Sequence, residues 1–303
     1  MDLAGLSDRV RALRAGRSHV FLGDPLGHAG GKTVVEPGNV SSPGVWTCGI
    51  SLWVEAGDGW RMAGDDGAWR LDPPVAIASW RSGEAAVRHE LAYCGGPETG
   101  QPGCDLHRVR LDSPARLVVA VRGTGPAGSA IAVPQWDAAC GELRAGGSVI
   151  VLPGASCRIE ADVDPVALLA LDLPAGELRF HVRHAGAADP PAEAWERCRA
   201  DWAAAVPARI RTPDARVDRA WQLCAWHMLA AMERGLPRIG AVNYPGFWMR
   251  DGVIILRALD LIGRHDLARI GCDWLAPIDF AGGFGAESDA PGEGRGPWPG
   301  TPR

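Results

Sequence analysis

The apolar positions of this chain change their spacing along its length. Between Asp2 and Ala15, Leu3, Leu6, Val10 and Leu13 recur at intervals of three and four, which predicts a short helix. From Trp46 the period becomes two. Trp46, Cys48, Ile50, Leu52 and Val54 alternate with Thr47, Gly49, Ser51 and Trp53, and Gly57-Asp58-Gly59 supplies a turn. Further strand-like runs follow at Val75–Trp80, Ala86–Tyr93, Arg108–Leu111, Leu117–Val121, Ala130–Val133, Ser148–Leu152, Ala167–Leu173 and Glu177–Val182. Gly, Pro or Asp separates most of them. Short strands in such succession predict a β-sandwich over residues 17–185, after a helix or extension over residues 1–16.

The segment Ala187–Pro191 reads as a linker, and beyond it the period is helical. Trp195, Cys198, Trp202 and Ala205 share one face, and Pro207 stops the run. Thr212 suits an N-cap and Pro213 the first helical position. Val217, Trp221, Cys224, Met228 and Ala231 then form the expected buried stripe, ended by Gly235 and Pro237. A third helix is expected from Asp251 to Ile262, before Gly263, and a fourth from His265 to about Leu275.

The third of these helices is apolar almost all round: Val253, Ile254, Ile255, Leu256, Leu259, Leu261 and Ile262. Such a helix is expected to be buried on every side. About four helices are too few to enclose it, so the expectation is an incomplete helical domain over residues 192–291. Residues 292–303 are rich in Gly, Pro and Arg and suit neither helix nor central strand. A shifted reading frame and a disordered tail both account for them.

Composition narrows the function. The formal net charge is −5, with no dense Arg cluster, which argues against nucleic acid as a partner. No apolar run reaches membrane-spanning length, and the first residues lack the apolar stretch of a secretory signal, so the cytoplasm is expected and no membrane. Lys32 is the single lysine, read as a mark of a GC-rich genome. The 8 cysteines are scattered and expected to be reduced, mostly buried thiols. Cys94, Cys104 and His107 hint at zinc, but no second ligand pair follows; neither a metal nor a cofactor is expected. Most of the 13 tryptophans read as core, with sugar stacking as the alternative. His227 reads as a packed residue, His181 and His184 as surface residues, and Arg219 and Glu233 as parts of solvated faces.

One constellation could carry chemistry. Tyr244-Pro245-Gly246 makes a turn, and Phe247, Trp248, Met249, Arg250 and Asp251 follow at the mouth of the apolar helix. A guanidinium fork and a carboxylate beside aromatic rings suit a polyhydroxylated ligand. Asp251 as a simple helix cap, paired with Arg250, is the alternative.

An aromatic residue, a short gap, then Trp-x-Arg-Asp opening an aliphatic helix, with Ala258-Leu259 and Gly263 after it, resembles the six-hairpin glycosidases. These include the family 15 glucoamylases and trehalases and the glycogen-debranching enzymes. The resemblance is best over residues 192–291. It implies a multidomain β-then-α chain, an N-terminal β-sandwich followed by an incomplete (α/α)6 toroid. It also implies that Arg250 and Asp251 hold hydroxyls of the sugar in the −1 subsite, with Tyr244 nearby and Trp248 as a wall. A second patch, Gly285-Ala286-Glu287-Ser288-Asp289, looks like the stretch opening the next inner helix of such enzymes. Glu287 or Asp289 would then be the catalytic acid; a Gly-rich loop capped by Asp289 is the competing reading. In the glucoamylase-like members both catalytic glutamates come from later hairpins.

The expected function is therefore that of a fragment of an inverting glycoside hydrolase, with an oligosaccharide or glucan partner and α-glucosidic bonds as substrate. The alternative is a non-catalytic carbohydrate-binding or interaction module built on the sandwich. A disrupted gene product with exposed apolar surface is a third reading.

Overall fold

The computed structural model describes residues 3–13, 19–24, 32–44, 47–57, 59–96, 101–125, 133–237 and 249–276. A nine-residue helix, α1 (Ala4–Ala12), precedes sixteen strands. The first five are β1 (Val20–Leu22), β2 (Thr33–Glu36), β3 (Val40–Pro43), β4 (Gly49–Ala56) and β5 (Gly59–Arg61). After a single helical turn, α2 (Ala63–Asp66), come β6 (Ala68–Asp72), β7 (Val75–Ser82), β8 (Ala85–Cys94), β9 (Cys104–Leu111) and β10 (Ala115–Arg122). The last six are β11 (Gln135–Asp137), β12 (Glu142–Ala145), β13 (Ser148–Val151), β14 (Ser156–Glu160), β15 (Val166–Leu173) and β16 (Gly176–Arg183). Four helices follow: α3 (Ala194–Ala205), α4 (Ala215–Ala230), α5 (Met249–Leu261) and α6 (His265–Leu275).

The strands form two antiparallel sheets. One runs β1-β2-β3-β4-β10-β15-β14, with β5 attached to β4; the other runs β11-β12-β13-β16-β9-β8-β7-β6. Their facing sides share one core. Ile50, Leu52 and Val54 of β4, with Val119 and Val121 of β10, meet Trp80, Val87, Val109, Phe180 and Val182 of the other sheet. Such a core is a β-sandwich.

Both outer faces are covered as well. Leu6 and Val10 of α1 lie on Trp53, Val118, Val166 and Leu168 of the first sheet. Each of these two aliphatic side chains, fully buried, contributes about 1.5–3 kcal/mol. The Arg9 guanidinium sits 4.7 Å over the Trp53 ring. On the second sheet, Ala194, Trp195 and Cys198 of α3 pack on Val75, Ile77, Ala92, Cys94, Cys104 and Leu106. This double cover explains why nearly all of β4 is buried although its sequence alternates.

The strand-like run at residues 130–133 is not met at its described end. Val133 belongs to no strand and is 57% exposed, and residues 130–132 lie outside the described residues. His184 is a correction of another kind: expected at the surface, it is 2% exposed, and His181 is only half-buried. The zinc spacing also fails on geometry. Cys104 and His107 lie three apart on β9, hence on opposite faces of the sheet. Cys104 instead donates to the Ala188 carbonyl, and His107 stacks on Phe180. Cys48, Cys94, Cys104 and Cys198 are buried, whereas Cys140, Cys224 and Cys272 are exposed.

In the helical part, α4 is capped by Asp214, whose carboxylate accepts from the Arg216 N–H, and not by Thr212. Its buried residues are Ala225, Trp226, Leu229 and Ala230, while Val217 is 49% exposed and Cys224 is exposed. The expected stripe is therefore offset: Trp221 and Met228 are half-buried against the α5–α6 cluster, while Val217 and Cys224 face outward. The helix has two neighbours: Trp226 and Ala230 meet β1 and β2, and Ala225 and Leu229 meet α5 and α6. Helix α5 also departs from expectation. Leu256, Leu259 and Ile262 are buried, but Val253, Ile254 and Leu261 are 49%, 64% and 74% exposed. It buries one side only. Gly263 ends it with φ +84°, as a C-terminal glycine does. Among the described residues, no helix is long and apolar enough to cross a membrane.

Candidate functional site

The Trp-x-Arg-Asp motif falls at the start of α5. The helix begins at Met249, so Arg250 and Asp251 occupy its first turn, where the positive end of the helix favours a carboxylate. Asp251 is half-buried. The helix is held by a hairpin with α6. Leu256, Leu259 and Ile262 pack on Leu267 and Ala268, and the two helices approach closely at Gly271, where a Cβ would fall 2.2 Å from Leu256 Cδ2. Of the six residues expected at a sugar site, Asp251 alone has a described side chain; Arg250 is placed by its backbone. Tyr244, Trp248, Glu287 and Asp289 lie outside the described residues.

Where α4 meets the sandwich there is a buried polar junction that the sequence reading missed. Lys32 at the head of β2 is 1% exposed, and its ammonium donates to the carbonyls of Ala230 (2.6 Å) and Asp24 (3.0 Å). Thr33 donates to the Asp105 carboxylate, and His184 Nε2 lies 3.1 Å from the same oxygen. The Tyr93 ring meets His184 edge-on, and its hydroxyl accepts from the Gly103 N–H. Next to it His89 Nε2 and His107 Nδ1 lie 3.0 Å apart. Burial pushes the His89 imidazole down to about 3, and His107 well below its ordinary value, through burial first and then the charges of His89 and His181. Both rings are neutral at pH 7. Asp105 is fully buried, so the Thr33–Asp105–His184 triangle joins the two sheets and is closed to a substrate.

An open site lies on the outside of the same junction. A cleft of about 230 Å³ is bounded by the turn Asp72-Pro73-Pro74 and by side chains of α3, α4 and the segment between them. Arg199, Arg209 and Arg219 line it, together with Trp202, Gln222 and Trp226. Arg219 donates to the Leu71 carbonyl and lies 3.4 Å from Asp72. It is therefore more than part of a solvated face. The two indoles are 5.5 Å apart between centroids, tilted by 50°. No sequence spacing announced this set, because its members come from four separate segments.

Neither a scan of protein-family models nor a search of curated proteins found a match. Among solved structures, the chain is similar to one assigned as a kojibiose phosphorylase from the human microbiome. The TM-score is 0.39 at 9% identity, over 68% of this chain and 39% of that one. This chain thus spans well under half the length of that protein. A likeness at that level defines neither the fold nor the activity of this chain.

Proposed function

We propose that this chain is carbohydrate-active and belongs to the inverting glycosidases of α-glucosidic bonds, with helices α3 to α6 as the first part of an (α/α)6 toroid. The observation that carries the reading is the position of Trp248-x-Arg250-Asp251: the Arg-Asp pair falls in the first turn of a helix that follows a β-sandwich and two other helices. In this reading the Arg250 guanidinium donates to sugar hydroxyls and the Asp251 carboxylate accepts from them. Trp248 and Tyr244 wall the subsite. Such charge-assisted bonds are the strong ones in a sugar site.

Inversion requires one carboxylic acid to protonate the departing glycosidic oxygen. A carboxylate takes the proton of a water as its oxygen attacks the anomeric carbon from the opposite side. The two groups stand about 6.5–9.5 Å apart. Glu287 and Asp289 are the acids this sequence offers for the first role. The test uses the full chain with maltose, maltooligosaccharides and trehalose. With maltooligosaccharides, proton NMR should show the glucose released from the non-reducing end appearing first as the β-anomer, and trehalose should give one α- and one β-glucose. Arg250→Ala and Asp251→Asn should each weaken binding by about tenfold or more. Non-reducing-end glucose appearing first as the α-anomer, or two α-glucoses from trehalose, refutes inversion. Neither binding nor glucose release with any of these sugars, or an Arg250→Ala variant indistinguishable from the parent, removes the assignment.

A second reading, a binding module without catalysis, is favoured by the cleft that presents Trp202 and Gln222 at the sandwich–helix junction. It predicts calorimetric heat with glucans and no glucose release, with binding sensitive to Trp202→Ala and indifferent to Arg250→Ala.

A further inference from the structure

The cleft at the sandwich–helix junction is cationic in an acidic protein. The chain has 36 acidic and 31 basic residues, yet among the described residues the cleft is lined by three arginines and a single carboxylate, Asp72. That carboxylate is already engaged by Arg219. Arg209 makes one long contact, 3.5 Å to the Ala203 carbonyl, and Arg199 makes no hydrogen bond or ion pair among the described residues. Neither meets an acid among the described residues. These two exposed arginines thus line a shared cavity with most of their donors unused by described residues, beside a third that is fixed in place by backbone.

We propose that this cleft binds a phosphoryl anion, as the phosphate monoester of a small sugar or as free phosphate. A planar fork of N–H donors matches the oxygens of a phosphoryl group two at a time. One fork would satisfy a carboxylate; three suit a dianion with three oxygens. The rest of the wall suits what a phosphate ester carries. Trp202 is half-buried and supplies a ring for the C–H face of a sugar, and Gln222 offers both a donor and an acceptor to hydroxyls. Trp226 is 2% exposed, and its indole Nε1 has no hydrogen-bond partner among the described residues. At about 230 Å³ the cavity has room for a monosaccharide ester. No described side chain of α5, Asp251 included, lines it.

The test is a titration of the full chain with inorganic phosphate, glucose 6-phosphate and glucose, read by calorimetry and tryptophan fluorescence. The parent should bind at least one phosphorylated probe, more weakly as salt rises. Glucose 6-phosphate binding more tightly than phosphate identifies the ester as the ligand; equal affinity identifies the free anion. The double variant Arg199→Gln/Arg209→Gln should lose about a hundredfold in affinity, tenfold for each charge-assisted contact. Gln222→Glu, which removes no arginine and places a carboxylate in the cleft, should abolish binding at an unchanged melting temperature. Arg250→Ala should leave it intact, which separates this site from the glycosidase reading. No binding of either phosphorylated probe by the parent overturns the proposal. So does binding that the double variant and Gln222→Glu both retain.

Discussion

Replacing Lys32 by Met tests whether one buried ammonium docks the helical part onto the sandwich. Lys32 reaches from the head of β2 to the carbonyl of Ala230, the last residue of α4. The ammonium therefore sits at the negative end of that helix and satisfies one of its orphan carbonyls. A second bond goes to the Asp24 carbonyl. The stem is tightly seated: a Cβ at Gly23 would fall 2.7 Å from Lys32 Cγ. Methionine retains most of the stem and deletes the charge. Hydrogen bonds to a charged group contribute about 1.5–3 kcal/mol each, and the lost desolvation cost of the ammonium offsets part of that. The expected net loss is about 2–3 kcal/mol. The Ala230 bond joins the two structural units, whereas Asp24 lies with Lys32 in the sandwich, so part of the loss should appear first as undocking of α4, before global unfolding. Amide hydrogen exchange at the C-terminal half of α4 should then accelerate by up to about 150-fold, at 1.4 kcal/mol per factor of ten. Exchange within twofold of the parent, together with an unchanged melting temperature, would falsify the docking role.

The buried histidines give the fold a pH dependence of known sign. His89 and His107 have imidazoles held below the ordinary 6.5 because burial disfavours the charged form. Below about pH 6.5 the unfolded chain takes up protons that the folded chain refuses, so stability is full above that pH. It falls as the pH drops below that, towards the folded value of about 3 for His89, by about 1.4 kcal/mol per unit, and His107 adds a slope of the same sign. Urea midpoints below about pH 6.5 should show the slope, and His89→Leu should reduce it; an unchanged slope counts against the account. Gly271→Ala gains helix propensity of about 1 kcal/mol but drives a methyl into Leu256. We expect a net loss of about 1–2 kcal/mol from overpacking, read by chemical denaturation, and a more stable variant would contradict the close α5–α6 approach. Ile254→Lys, on the open side of α5, should change stability by less than about 0.5 kcal/mol. A loss above about 2 kcal/mol in a thermal melt would mean that this side is covered in the protein.

The long strands were legible because their side chains obey one rule over many residues. β7, β8, β10, β15 and β16 all appear as apolar or β-branched runs between turn residues, and the sandwich follows from their number. β1, β2 and β3 were not legible: each is only three or four residues long, too short to show a period. The polar positions misled in a more instructive way. His89, Glu90, Asp105 and His107 are polar positions of the strands, yet each is at most 4% exposed. His89, Asp105 and His107 share the inner face with Val87 and Val109, where His107 stacks on Phe180. Glu90 is on the outer face, paired with Arg108, whose guanidinium lies 4.2 Å over the Trp195 ring of α3. Lys32 was invisible for a related reason. A lone lysine carries no spacing, and its partners are backbone carbonyls from elsewhere in the chain.

The helices show the same limit in angular terms. At about 100° per residue, Val217, Trp221, Cys224, Met228 and Ala231 fall within one narrow sector of α4. The buried set, Ala225, Trp226, Leu229 and Ala230, is centred roughly 150° away. The spacing of three and four that defines this stripe fits the larger apolar side chains and passes over Ala225 and Ala230. The helix is instead oriented by its neighbours, which need small residues where backbones approach: Ala230 beside Lys32, and Ala225 facing the α5–α6 hairpin. In α5 the apolar side chains exceed what one face can hold, and the surplus, Val253, Ile254 and Leu261, lies outward. Sequence thus measures how much apolar surface a helix carries, and the direction of burial comes from elements far along the chain. The arginine cleft has the same origin. Arg199, Arg209 and Arg219 acquire a common cavity only because α3 packs on β7 to β9 and α4 on β1 and β2, with Arg219 tied to the end of β6. A pocket assembled in that way has no motif to find, and its chemistry becomes readable once the docking is known.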